Sequence, residues 1–482
     1  MKNILILFVG ILMFSCSDDL ENLNQNIKDP AAVSGESLFT GAEKNLVDQI
    51  VDLNVNLNNT KLWSQFLQET TYPDESNYDQ VTRTIPANHW DVMYKDVLKD
   101  LNEASINITA TTYLTPAEEA QKPNKLAIIE VLNVYTYSNL VETFDDVPYT
   151  EALDINNLSP KYDDGLTIYK DLLARLTTAI NTMDSDIGSF STADRIYGGD
   201  VAKWLKFANS LKLRMGILLS DVEPALAQST VTEAIAGGVI MSREDNASYQ
   251  YLSADPNTNP VYANLVLSGR NDFVAGATIT DIMNSLDDPR LPLYFTALDG
   301  EYVGAEIGSA SSYSANSHVA AQFQAATAPG IIFDYAEVEF LLAEAAARSF
   351  PVTGSAASHY TAGITESITY WGGSTADATA YLAQPEVAYA SALATSEATT
   401  PWKEVIGTQK WLALYNRGFE AWTSIRLLDY PVMAEPVDAQ SGYPNRYTYP
   451  IIEQTLNGAS YNDAASAIGG DETENRLFWD LQ

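Results

Sequence analysis

The sequence predicts an all-α fold, a body of stacked helical hairpins interrupted by long loop-rich inserts. Three observations predict it. Apolar residues recur every three or four positions over most of the chain, the period of one helix face. Successive periodic segments between 120 and 220 begin roughly 35–45 residues apart, near the repeat of helix-pair solenoids. From about 240 to 330 the period gives way to Gly, Ser, Asn, Asp and Pro clusters, with one short helical stretch at 278–286. The spacing fits stacked hairpins and an irregular helical bundle equally well.

Each element follows from its own pattern. Phe39, Ala42, Leu46, Ile50, Leu53 and Leu57 make the first helical face. Trp90, Met93, Val97, Leu101 and Ala104 make the second. Residues 126–141 are apolar nearly all round, as in a helix deep in a core. Thr115 and Pro116 before them read as a cap and a first helical residue. Leu166, Tyr169, Leu173, Leu176, Ile180 and Met183 give the next face, and Val201, Trp204, Ala208, Leu211, Met215 and Leu218 the one after. Beyond the loop-rich middle, helices are expected at 333–348, 360–371, 378–394 and 402–428, before a Pro/Gly-rich tail. Helices flank the loops on both sides, so residues 37–482 are expected to form one body with a loop-rich insert at about 240–330.

The N-terminus sets the compartment. Lys2 precedes an apolar run from Ile4 to Phe14, too short to span a bilayer and suited to a signal peptide. Met13-Phe14-Ser15-Cys16 resembles a bacterial lipobox, with Met13 where Leu is usual. The expectation is a signal peptide at 1–15, lipidation of Cys16, and a polar, Asn-rich tether over 16–36. Cys16 is the sole cysteine, which excludes an intrachain disulfide and clustered-thiolate zinc sites. The net charge of −36 repels phosphate backbones and anionic headgroups and excludes nucleic-acid binding. The acidity permits a structural calcium ion, but no EF-hand loop is present.

Catalytic signatures are scarce. His89, His318 and His359 stand in no zinc-protease pattern, and neither a G-x-S-x-G elbow nor a P-loop occurs. His89 reads as a partly exposed residue at a helix start. Asp145-Asp146, Asp163-Asp164 and Asp287-Asp288 could serve a glycosidase, but 63 acidic residues make such pairs inevitable, and turn and cap roles account for them. Aromatics are the abundant resource, with 27 Tyr and 8 Trp. Flat rings beside Asn and Asp in loops suit a sugar, which offers C–H groups on its face and hydroxyls at its edge; they suit extended peptides almost as well. On that chemistry the candidate ligand contacts are Trp63, Tyr72, Asp74, Asn77 and Tyr78, with Tyr302 and Tyr313 in a second loop.

Several stretches together resemble the SusD/RagB family of nutrient-binding outer-membrane lipoproteins, and its SusD-like branch most closely. They are residues 204–215 (WLKFANSLKLRM), 287–292 (DDPRLP), 334–345 (DYAEVEFLLAEA), 409–415 (QKWLALY), Gly418 to Trp422 with Arg426, 445–450 (NRYTYP) and the terminal Leu477-Phe478-Trp479-Asp480. Their order along the whole chain is more specific than any one of them. The resemblance implies tetratricopeptide-like hairpins carrying loop-rich inserts that form the ligand face. It implies a cell-surface lipoprotein, not an enzyme, that captures oligosaccharides or peptides and passes them to a TonB-dependent transporter of the SusC type. Asp18, Asp19 and Glu21 after Cys16 resemble the surface-export signal of Bacteroidetes lipoproteins. The shared motifs look structural: Lys212 and Arg214 as partners of carboxylates, Asp288-Pro289-Arg290 as a fixed turn. Two readings of other classes stand beside this one, a surface glycoside hydrolase or peptidase and a scaffold that binds a partner protein.

Overall fold

A computed structural model describes residues 33–481, so Cys16, the signal segment and most of the tether lie outside the described residues. The helices form where the period places them, and side chains fix their ends. Helix α1 (Gly35–Val51) is capped by Ser34, whose side chain accepts from Ser37 N. It stops before Leu53 because Asp52 turns its carboxylate onto the backbone N–H groups of Leu53 and Asn54. Helices α2 (Ile85–Asp91) and α3 (Lys99–Ala110) are joined through a π-helical segment, Val92–Leu98. Thr115 and Glu118 form a reciprocal capping box, but for a separate short helix, Pro116–Ala120. Helix α4 (Lys122–Phe144) follows it and is buried on nearly every side.

Helices pair in hairpins: α4 with α5 (Gly165–Thr182), α6 (Val201–Leu218) with α7 (Pro224–Gly237), and α9 (Tyr335–Ala347) with α10 (Ala356–Tyr370). Helix α8 (Ala277–Ser285) is the longest of the short helices in the insert between the second and third pairs. The fold is the all-α, tetratricopeptide-like arrangement that the resemblance implies. Helix α7 was not expected from the sequence. Its buried residues are small, Ala227, Thr230, Val231 and Ala234, so they leave no apolar stripe to read. They fit because the facing residue is Gly216, where an added Cβ would meet Thr230 and Val231 at 3.0 Å.

Two long expected helices are each broken. The 378–394 stretch is α11 (Thr375–Leu382) and α12 (Tyr389–Thr395), separated at Pro385. The 402–428 stretch is α13 (Pro401–Ala413) and α14 (Gly418–Leu428), with Asn416 left-handed at φ +68° between them. The tail is not all loop, since α15 (Ile451–Leu456) and α16 (Gly458–Ala467) close the chain.

The strands are short antiparallel pairs. β2 (Val147–Pro148) pairs with β3 (Tyr162–Asp163), and β6 (Phe295–Thr296) with β7 (His318–Val319). Two other pairs position the insert. β4 (Ala247–Tyr249) pairs with β8 (Gly330–Phe333), so the insert leaves and rejoins the helices at one place. β1 (Leu67–Glu69) pairs with β5 (Phe273–Ala275), docking the insert onto the loop after α1. One apolar cluster runs from Phe39 to Trp479, and a second, including Phe66, Tyr294, Trp411 and Tyr415, joins the insert to α13.

Charged groups are buried in this body and paired. Glu337 takes Arg214 in a two-pronged contact (2.7 and 2.9 Å) and Arg417 at 2.5 Å. Burial alone would raise its pKa; the two guanidiniums reverse this and hold its carboxyl at about 2. Lys212 pairs with Glu233. Arg290, fully buried, grips Asp288 across the turn and bonds Gln409 Oε1 on α13. The pairing expected for Lys212 and Arg214 and the turn expected at 288–290 are therefore present.

Candidate functional site

Residues 64–80 carry no helical period and are rich in Gln, Glu, Thr and Asn, side chains able to satisfy backbone groups where no ladder exists. The loop is held accordingly. Thr70 donates through its N–H to Asp272 O and through Oγ1 to Asn271 O, and accepts from Ser311 N at Thr70 O. Gln68 Oε1 accepts from Gly308 N. Gln65 reaches the other way, donating Nε2 to Ala434 O while its Oε1 accepts from Ala434 N. Four segments of very different sequence position thus meet: the 64–80 loop, residues 268–273, residues 303–317 and residues 434–441.

Asn77 is their central clamp. It is buried, its amide donates to Pro73 O and Gly308 O (both 2.8 Å), and its Oδ1 accepts from Asp438 N (3.0 Å). Glu69 closes the base of the loop, accepting from Ser76 N and Ser76 Oγ. Burial, and then the carboxylate of Glu75, push the Glu69 carboxyl up to about 9. At neutral pH Glu69 therefore keeps its proton and donates it in a hydrogen bond to the carboxylate of Glu75, which itself is paired with Arg83.

The tip stands out from this base. Tyr72 is 74 % exposed and has φ +56°, a left-handed conformation uncommon for a bulky residue. Such strain costs on the order of 1–3 kcal/mol and persists only where the surroundings impose it. Asp74 is exposed on the same tip. The Ser311–Thr70 bond sets the Tyr313 turn beside this loop. Tyr313 is half-buried and stacked on His318, with ring centroids 3.7 Å apart, and His318 Nε2 donates to Tyr313 O. Tyr302 is half-buried against the second apolar cluster.

Three of the expected contacts are buried. Trp63 is 0 % exposed; its indole donates to Glu75 O and packs edge-on to Trp422 and Tyr447, so it offers a ligand no face. Tyr78 is buried with its hydroxyl accepting from Gln65 Nε2. Asn77 spends its amide on backbone, as described. These three hold the loop, and Tyr72, Asp74, Tyr302 and Tyr313 remain accessible. The neighbouring turn adds an exposed cation, Arg270, which lies 3.5 Å from Asp272. Sequence reasoning misplaced His89, which is fully buried, stacked on Phe419 and bonded to Gln49 and Asn139, with burial holding its pKa down at about 3.

Beside the face, a groove of about 610 Å³ opens between the 431–436 strap, Tyr443 and Glu474. Its size falls within the range of ligand clefts. The paired carboxylates have other duties. Asp146 accepts from Gly165 N at the start of α5, and a Cβ on Gly165 would lie 2.5 Å from Asp145 Oδ1, so that pair is packed against backbone. Asp164 caps α5, and Asp163 holds Thr150. Among the described residues no group of three His, Cys, Asp or Glu converges as a metal site.

Residues 26–450 match a family described as SusD-like, starch-binding associating with outer membrane. A search of curated protein sequences finds no match. Among solved structures, a chitin-binding protein superposes with a TM-score of 0.79 at 25 % identity, over 93 % of this chain and 100 % of its own. A chitin-binding SusD homologue from Flavobacterium johnsoniae gives 0.78 at 24 %, over 92 % and 99 %. A SusD homologue from Bacteroides thetaiotaomicron gives 0.76 at 23 %, over 94 % and 100 %. With a match across most of its length and the hairpin architecture described above, the chain belongs to the SusD-like family.

Proposed function

We propose that this protein binds oligosaccharides on the four-loop face and delivers them to a SusC-type, TonB-dependent outer-membrane transporter, as a binding protein rather than an enzyme. The observation that carries the reading is Tyr72, a solvent-facing ring in a strained backbone conformation, set on a loop whose buried residues are spent on holding it. A pyranose laid on that ring buries C–H groups against it and turns hydroxyls toward Asp74 and Arg270. The family description and the two chitin-binding relatives support a glycan, and chito-oligosaccharides head the ligands to try. Titration calorimetry against chito- and malto-oligosaccharides and against peptides tests this. Heat of binding with a glycan series supports the reading; tight peptide binding with no response to any glycan overturns it.

The same reading places the protein on the outer membrane, anchored by lipid on Cys16. Cys16→Ala is then expected to leave ligand binding by the purified protein unchanged and to impair uptake by the cell, measured as transport of labelled oligosaccharide.

A further inference from the structure

Where helices α4, α6, α9, α13 and α14 converge, the apolar core gives way to a polar cavity of about 40 Å³. Two of its wall residues, Glu420 and Ser424, stand one turn apart on α14 and so share a face. Glu420 is 9 % exposed. Its Oε1 accepts from the Tyr135 hydroxyl (3.1 Å) and faces the Arg417 guanidinium at 3.6 Å, whereas among the described residues nothing donates to its Oε2. Ser424 is 2 % exposed, and its Oγ has no hydrogen-bond partner among the described residues. It does not return its hydroxyl to the carbonyl one turn back, as Ser210 does to Lys206 O at 2.8 Å. A buried carboxylate oxygen and a buried hydroxyl are each costly to leave without a partner. Both border the same cavity, so one occupant can satisfy both.

Size and charge select the occupant. A buried water needs at least about 10–15 Å³ of such space and two to four polar partners, so the cavity takes on the order of two or three waters. The wall supplies the partners: beside Glu420 and Ser424 stand Glu142 and Asn139 on α4 and the Lys410 ammonium on α13. The wall also carries both signs of charge. A metal cation would lie beside Arg214 and Lys410, and an anion beside Glu142, Glu337 and Glu420. Among the described residues no group of three His, Cys, Asp or Glu could hold a metal ion. An apolar guest would leave Glu420 Oε2 unmet. A neutral molecule that both donates and accepts meets every one of these groups. We infer that this cavity is a water site, a cluster of ordered water that donates to Glu420 Oε2, reaches Ser424 Oγ and Glu142, and joins α14 to α4 and α13 across the core. Its wall includes no residue of the four-loop face, so the inference stands apart from the ligand reading.

The test is a high-resolution crystal structure of the purified protein, from crystals soaked in rubidium chloride, beside that of Ser424→Ala. The expected result is water density within hydrogen-bond distance of Glu420 Oε2 and of Ser424 Oγ, no anomalous rubidium signal in the cavity, and one peak lost in Ser424→Ala. Melting curves of the two proteins read the same question in solution. In a dry cavity Ser424→Ala would remove a stranded hydroxyl and favour the helix, and so raise the melting temperature. In a hydrated cavity it strips a bridging water of an anchor, and the variant is expected to melt below wild type. No density beside Glu420 Oε2, a rubidium peak in the cavity, or a variant that melts at or above wild type overturns the water site.

Discussion

The helical body and the loops that meet around residues 64–80 both bury polar side chains, and they do so in different ways. In the body a set of buried groups is charged and pairs within itself, with Glu337 between Arg214 and Arg417, beside neutral groups such as Asn124 and Asn209. In the loops the buried groups are largely neutral and meet backbone: Gln65 with Ala434, Gln68 with Gly308, Asn77 with Pro73, Gly308 and Asp438. Even the buried acid Glu69 is kept neutral there by its proton. Helices satisfy their own backbone, so buried side chains are free to lock one helix to the next. Loops leave N–H and C=O groups unmet, so side chains must meet them. A face built this way spends Asn and Gln on support and leaves Tyr72 and Asp74 exposed.

The difference can be broken from either side. The largest effect is expected in the body. Glu337→Ala takes from the buried Arg214 and Arg417 their closest carboxylate, leaving Asp334 and Glu420 farther off, and should cost about 3–5 kcal/mol, read as a loss of global stability in denaturant unfolding. Asn77→Ala removes three side chain–backbone bonds and should cost about 1–3 kcal/mol, felt locally. Hydrogen exchange should quicken at 70–79, 306–312 and 434–441 and stay unchanged in α4 and α9; uniform quickening would contradict a local clamp.

A smaller, pH-dependent effect comes from Glu69. Its folded-state pKa of about 9 lies above its ordinary value of 4.5, so between those values the folded protein holds the proton more tightly than the unfolded chain. This contribution therefore falls as pH rises through that window and is spent above about 9. Glu69→Gln supplies a permanent donor to Glu75 and keeps an acceptor for Ser76. Melting temperatures of the two proteins should diverge with rising pH, the variant gaining on wild type; parallel curves would show that Glu69 is not the titrating group.

The legible part of this molecule was the part whose chemistry is local. The period of Phe39 to Ile50 follows from neighbours three and four residues away and forms as expected, and Thr115 caps as expected, though a separate short helix. The 204–215 and 334–345 stretches held their place because charged residues on apolar helices, Arg214 and Glu337, required partners. Helix α7 was hidden because close packing on Gly216 selects small residues, which carry no stripe. Trp63 and Tyr78 were misread because a ring in a polar loop looks the same in sequence whether it faces water or a core formed by Trp422 and Tyr447, more than 300 residues away. The accessible set was fixed by contacts such as Thr70 with Ser311, which no local pattern records.

The most direct test of the account is calorimetric titration of wild type and Tyr72→Ala with the oligosaccharide that wild type binds, paired with their melting curves. An exposed residue outside the core should change stability by no more than about 0.5 kcal/mol, whereas a ring that carries the ligand should cost at least about 1.4 kcal/mol of binding, a tenfold loss of affinity. The account predicts unchanged melting with binding weakened tenfold or more. Unchanged affinity in Tyr72→Ala would contradict it.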